Sequence, residues 1–129
     1  MVGRLDRLWI VLGALTGLTG VAMAALATHG LSRLDPVALR MVESAVQVQG
    51  WHAPALVLAG VWACRGGALA QLAGAAFALG TLLFCTALFC TAVYLLALRG
   101  ISLPLVAPTG GVLLMLGWAS LGLSALRAR

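Results

Sequence analysis

Only two side chains in this 129-residue sequence ordinarily change charge near neutral pH, His29 and His52, and both fall in its most polar stretch, 27–56. Gln49 and Glu43 lie in the same stretch. An imidazole there could ligate zinc, copper or haem iron, or pass a proton along. Gln49 and His52 are three residues apart and share a helical face, while His29 stands where a long apolar run ends. His29, Gln49, His52 and Glu43 therefore form a candidate polar corner. Two histidines fall short of the four ligands of a closed zinc site, and a haem would need a wide apolar slot besides. The preferred reading is structural: His29 caps the end of the first helix, and His52 bonds Gln49 or a loop carbonyl. A buried imidazole without a partner costs about 1–3 kcal/mol, which is reason enough for such bonds. Binding or transport of a small ligand, metal or proton at this corner is the alternative.

No other set of residues points to a reaction. There is no Ser-His-Asp ordering, no pair of carboxylates in an apolar run, no phosphate-binding glycine loop and no His-Glu-x-x-His. Cys64, Cys85 and Cys90 form no Cys-x-x-Cys pair and read as small apolar side chains. The net charge of +5 comes from scattered arginines without lysine, which gives no basic stripe for nucleic acid. The expectation is a protein that is not an enzyme and holds no metal or cofactor.

The elements that must position the polar corner are almost wholly apolar. Charged residues make up 9% of the chain, against about 25% in ordinary globular domains, too few to cover the surface of a soluble fold. Lipid must be the solvent for most of the exterior. The first apolar run, about 8–28, is longer than the 7–15 residues of a signal peptide and reads as a retained helix of about bilayer length. Gly30 ends it, and Asp35-Pro36 supplies a cap and first position for the next helix. Arg40, Glu43, Ser44 and Gln47 follow on one face, as in a short amphipathic segment at the membrane surface. Further spans are expected at about 44–64, 70–98 and 104–126, with Pro54 a point of kinking and Arg65-Gly66-Gly67 a tight turn. The sequence thus predicts an all-α, four-transmembrane-helix bundle in one domain, 1–129, with an amphipathic interfacial segment between the first two spans.

Small residues mark the packing faces. Gly13, Gly17 and Gly20 share one stripe of the first run, and Gly110 and Gly117 one side of the last. Such stripes let helix backbones approach closely, which matters because lipid gives no hydrophobic drive between helices. Five arginines (4, 7, 65, 127 and 129) fall on one side of this layout and three (33, 40 and 99) on the other. That asymmetry predicts both termini in the cytoplasm.

Several motifs carry a resemblance: Ala27-Thr28-His29-Gly30-Leu31, Gln49-x-x-His52-Ala53, Leu88-Phe89-Cys90-Thr91-Ala92-Val93-Tyr94-Leu95 and Pro108-Thr109-Gly110-Gly111, with Gly117-Trp118 downstream. In this order the chain resembles the small bacterial membrane family known as domain of unknown function 423, related to eukaryotic transmembrane protein 256. Thr28, Pro54 and a few extra residues around 81–86 depart from that pattern. The resemblance implies four helices in the bacterial inner membrane and supplies no activity. The leading expectation is an interaction or scaffold protein, either self-associating or an accessory subunit of a larger membrane complex.

Overall fold

Asp35 and Pro36 open the longest element of the protein. The Asp35 carboxylate accepts the Val37 backbone N–H at 2.9 Å, satisfying one of the donors that a helix start leaves free, and Pro36 brings a fixed helical φ. From here α2 runs Pro36–Leu98. Before it lies α1, Arg4–His29, and after it α3, Val106–Arg127. The computed structural model describes residues 3–31, 35–98 and 105–128. Arg33, Arg99 and Arg129, counted above in the charge asymmetry, and residue 104, the expected start of the last span, lie outside the described residues. Gly30 ends α1 with its N–H on the Leu26 carbonyl at 2.7 Å, and the Leu31 N–H shares that acceptor at 3.0 Å.

The expected four-helix bundle is corrected. The described residues form three helices, and three of them are long and apolar enough to cross a membrane. The segments expected at 44–64 and 70–98 both belong to α2, which spans 63 residues. The difference arises at Arg65-Gly66-Gly67, where only Gly67 leaves helical geometry, with φ 58° and ψ −143°. Those dihedrals are essentially restricted to glycine. One residue thus does the work expected of an unwound linker. Pro54 causes no comparable break, because Gly67 is the one residue of α2 with non-helical dihedrals. The amphipathic segment and the second span belong to one continuous helix. The segment forms the first turns of α2, with Arg40, Glu43, Ser44 and Gln47 exposed while Ala38 and Val42 on the other face are buried against Ala92.

At Gly67 α2 folds back on itself. Cys85 Sγ lies 3.3 Å from the Ala45 carbonyl, and the rings of His52 and Phe77 are 5.7 Å apart. The arm at 36–66 therefore runs antiparallel to the arm at 68–98. Helix α1 packs on the first arm and α3 on the second: Gly13 meets Ala53 and Val57, and Gly110 meets Gly80 and Phe84. Asp6 lies against Gly60, and Trp62 bonds Ser124, so the start of α1, the Gly67 bend and the end of α3 are at one end of the molecule.

Most of the buried apolar residues are alanines, with Trp9, Leu56, Phe77 and Leu114 filling the centre. The large aliphatic side chains face outward instead, among them Leu18, Val21, Leu82 and Met115. This inversion suits lipid, where burial of leucine offers no gain over exposure and close backbone packing supplies the dispersion energy. Of the three glycines on the α1 stripe Gly13 is the tightest: an added Cβ would lie 2.8 Å from the Ala53 carbonyl oxygen and 3.0 Å from the Val57 nitrogen. At Gly17 it would meet only the Ala53 Cβ at 3.6 Å, and at Gly20 the Gln49 side chain at 3.5 Å. On α3, Gly110 comes against the Phe84 nitrogen, and Gly117 lies under the Phe77 ring. Gly60, Gly74 and Gly80 are equally tight, against Asp6, Trp9 and Leu114.

Candidate functional site

His52 sits on the inner face of the first arm of α2 and is 8% exposed. Its Nδ1 lies 2.7 Å from the Val48 carbonyl oxygen, one helical turn back, so Nδ1 carries the hydrogen and donates it. The indole N–H of Trp118 on α3 donates to Nε2 at 3.2 Å. One nitrogen donates and the other accepts, which defines a single neutral tautomer with both positions used. Phe77 completes the surroundings: its ring stands 5.1 Å from Trp118 at an interplanar angle of 65°.

Gln49, on the same arm, reaches α1. Its amide nitrogen donates to the Thr16 carbonyl at 3.0 Å and to the Thr19 hydroxyl at 2.7 Å. The other two members of the expected corner lie apart from this pair. His29 is the exposed last residue of α1, and Glu43 is exposed on the first turns of α2, lining a surface groove of about 460 Å³ with Thr28. Gln49 and His52 are thus one turn apart but directed to different helices, α1 and α3. Among the described residues no group of three or more His, Cys, Asp or Glu side chains could hold a metal ion.

A second polar cluster lies near the Gly67 bend, outside the corner expected from the sequence. Asp6 is 6% exposed. One of its carboxylate oxygens accepts the Gly3 N–H at 2.7 Å, and the other accepts the Gln71 amide at 2.5 Å. The Gln71 carbonyl oxygen in turn accepts the Trp9 indole N–H at 2.6 Å. The carboxylate sits in the first turn of α1, where the helix dipole favours negative charge. The amide of Gln71 bridges two groups of α1 from the second arm of α2. At the same end Trp62 donates to the Ser124 hydroxyl at 3.0 Å, joining the first arm to α3. The one sequence signal for this cluster was a carboxylate immediately before an apolar span, together with a glutamine inside one.

Most of these polar contacts join one helix, or one arm of α2, to another. Residues 23–111, which include both Gln49 and His52, match the family described as "Protein of unknown function (DUF423)". The chain belongs to the DUF423 family. It is 31% identical over 123 residues to a UPF0382 membrane protein of Haemophilus influenzae, an alignment covering 94% of this chain and 95% of the relative. It is 32% identical over 120 residues to a UPF0382 membrane protein of Staphylococcus haemolyticus, covering 92% of this chain and 94% of the relative. No solved structure matches it. Relatives named as membrane proteins and three helices long and apolar enough to cross a bilayer together make this a membrane protein, and the family description assigns it no activity.

Proposed function

We propose that this DUF423 chain is a non-enzymatic interaction protein of the bacterial inner membrane, either self-associating or an accessory subunit of a larger membrane complex. The observation that carries the reading is the double engagement of His52. With Nδ1–H on the Val48 carbonyl and Nε2 under the Trp118 N–H, the imidazole has no free lone pair to offer a metal or a substrate. Asp6, Gln71, Trp9, Trp62 and Ser124 are likewise engaged with neighbouring helices. Polar groups used in this way hold a scaffold together, and function then falls to its surfaces.

Both termini are proposed to face the cytoplasm. Arg4, Arg7, Arg65 and Arg127 all lie toward the end that carries the Gly67 bend, and Arg40 lies toward the other, a distribution that favours the bend end as the cytoplasmic one. A reporter fused after Arg129 is expected to register as cytoplasmic, and one inserted between Ser32 and Asp35 as external.

Mass measurement of the full chain extracted in native lipid nanodiscs tests the interaction reading. The expected result is a discrete complex, holding either several copies or a stoichiometric second protein. A single chain alone in every particle would overturn it.

A further inference from the structure

A groove of about 640 Å³ opens between α1 and the second arm of α2, within the size range of small-molecule sites. Exposed Leu15, Leu79 and Leu82 line it, so its mouth is on the lipid-facing surface. Its walls carry no Asp, Glu, His or Arg, and its polar groups are hydroxyls, the Gln49 amide, the Cys85 thiol and the Trp9 indole N–H, which is already bonded to Gln71. An ionised ligand would enter this low-dielectric surrounding without a counter-charge, so the chemistry selects an uncharged one.

One buried wall group lacks a partner. Thr81 is 5% exposed, and its hydroxyl makes no hydrogen bond. Threonine in a helix usually bonds a carbonyl one turn back. Thr19, Thr28 and Thr109 do so here, at 2.9, 3.0 and 2.6 Å. Thr81 does not, and among the described residues its hydroxyl is the buried side-chain group left without a partner; Thr81 lines the groove. A buried hydroxyl left unpaired costs about 1–3 kcal/mol, and a turn of the Thr81 side chain toward an acceptor oxygen in the groove would relieve that cost. Gly80, beside Thr81, packs against Gly110 and Leu114 well inside the helices, so this donor lies away from the molecule's two ends.

We infer that the groove binds an uncharged lipophile whose carbonyl oxygen accepts the Thr81 hydroxyl, the apolar body lying along Leu12, Leu56 and Leu82. Two membrane components carry that chemistry, the ring carbonyl of a quinone and the ester carbonyl of a neutral glyceride. The inference is independent of the interaction role proposed above, since it concerns a different surface and a different readout.

Native mass spectrometry of the full chain in detergent tests it, with decylubiquinone and dioctanoylglycerol titrated separately. The expected result is one-to-one binding of one probe, and that probe identifies the source. Thr81→Val keeps the shape and removes the donor, so binding should weaken about tenfold, the worth of one hydrogen bond. Thr81→Ser should hold wild-type affinity. Ala78→Phe, which puts a ring into the groove, should abolish binding while helicity by circular dichroism is retained. Binding of neither probe, or equal affinity in wild type and Thr81→Val, would overturn the inference. If Ala78→Phe does not fold, the comparison of Thr81→Val with Thr81→Ser still decides it.

Discussion

Trp118 on α3 donates its indole N–H to Nε2 of His52 on α2 at 3.2 Å, and this contact selects which imidazole nitrogen carries the hydrogen. With Nε2 accepting, Nδ1 must donate, and it does so to Val48 one turn back. A histidine placed three residues from a glutamine thus acts as a pin between two helices. The contact also explains why the expected corner does not assemble around it. His52 is turned toward α3, Gln49 toward α1, and His29 is at the exposed end of another helix.

Replacement of His52 separates the pin from its bulk. In His52→Gln the amide can both donate and accept, so most of the stability should remain. In His52→Leu the Trp118 N–H and the Val48 carbonyl lose their side-chain partner, at a cost of about 1–2 kcal/mol more than in the glutamine variant. Unfolding measured in detergent should rank the three proteins wild type, glutamine, leucine.

At the other end, Asp6 and Gln71 should behave as one unit. Gln71→Leu leaves one oxygen of a buried carboxylate and the Trp9 N–H unpaired, and is expected to destabilise by about 3 kcal/mol. In a double-mutant cycle, Asp6→Ala with Gln71→Ala should cost clearly less than the two single changes added together. Additive costs would mean that the Asp6–Gln71 contact carries no energy.

The glycines of α1 should not be equivalent. Gly13→Ala pushes a methyl into the backbone at Ala53 and Val57 and should cost about 1–3 kcal/mol. Gly17→Ala adds only ordinary contact with Ala53 and gains helix propensity, so it should be neutral or stabilising by up to about 1 kcal/mol. Thermal unfolding of the two variants provides the comparison.

Much of the architecture is legible in the amino-acid sequence, and the misses have physical causes. The scarcity of charge identifies lipid as the solvent, and Asp35-Pro36 and Gly30 mark helix ends by local chemistry that the structure contains. The turn at Arg65-Gly66-Gly67 is local too, but two adjacent glycines permit many conformations. Packing selects one in which Gly66 stays helical beside the Trp62 ring and Gly67 alone departs. That is why two expected spans form a single folded helix. The polar clusters were not legible, because the partners are far apart in sequence: 65 residues separate Asp6 from Gln71, and 66 separate His52 from Trp118. No periodicity within one helix can announce a bond to another. Thr81 was hidden for a related reason, since its lack of a partner is a property of the packed groove.

At Gly67 itself, the φ of 58° with ψ −143° predicts strain for any other residue. Gly67→Ala should destabilise by about 1–3 kcal/mol, whereas Ala68→Gly next to it should cost less than about 1 kcal/mol. Equal loss at both positions would mean that the bend depends on flexibility and not on that backbone conformation.

The central claim is that the polar side chains join helices and are not held ready for a ligand. It is tested most directly by the ¹⁵N resonances of the two imidazoles in the purified protein, with and without stoichiometric zinc. His29, exposed at the end of α1, serves as the internal comparison. The account predicts that His52 shows a single neutral form, protonated at Nδ1 with Nε2 accepting, and that zinc leaves its resonances in place. A His52 signal protonated at Nε2 in the metal-free protein, or one displaced by a single equivalent of zinc, would contradict it.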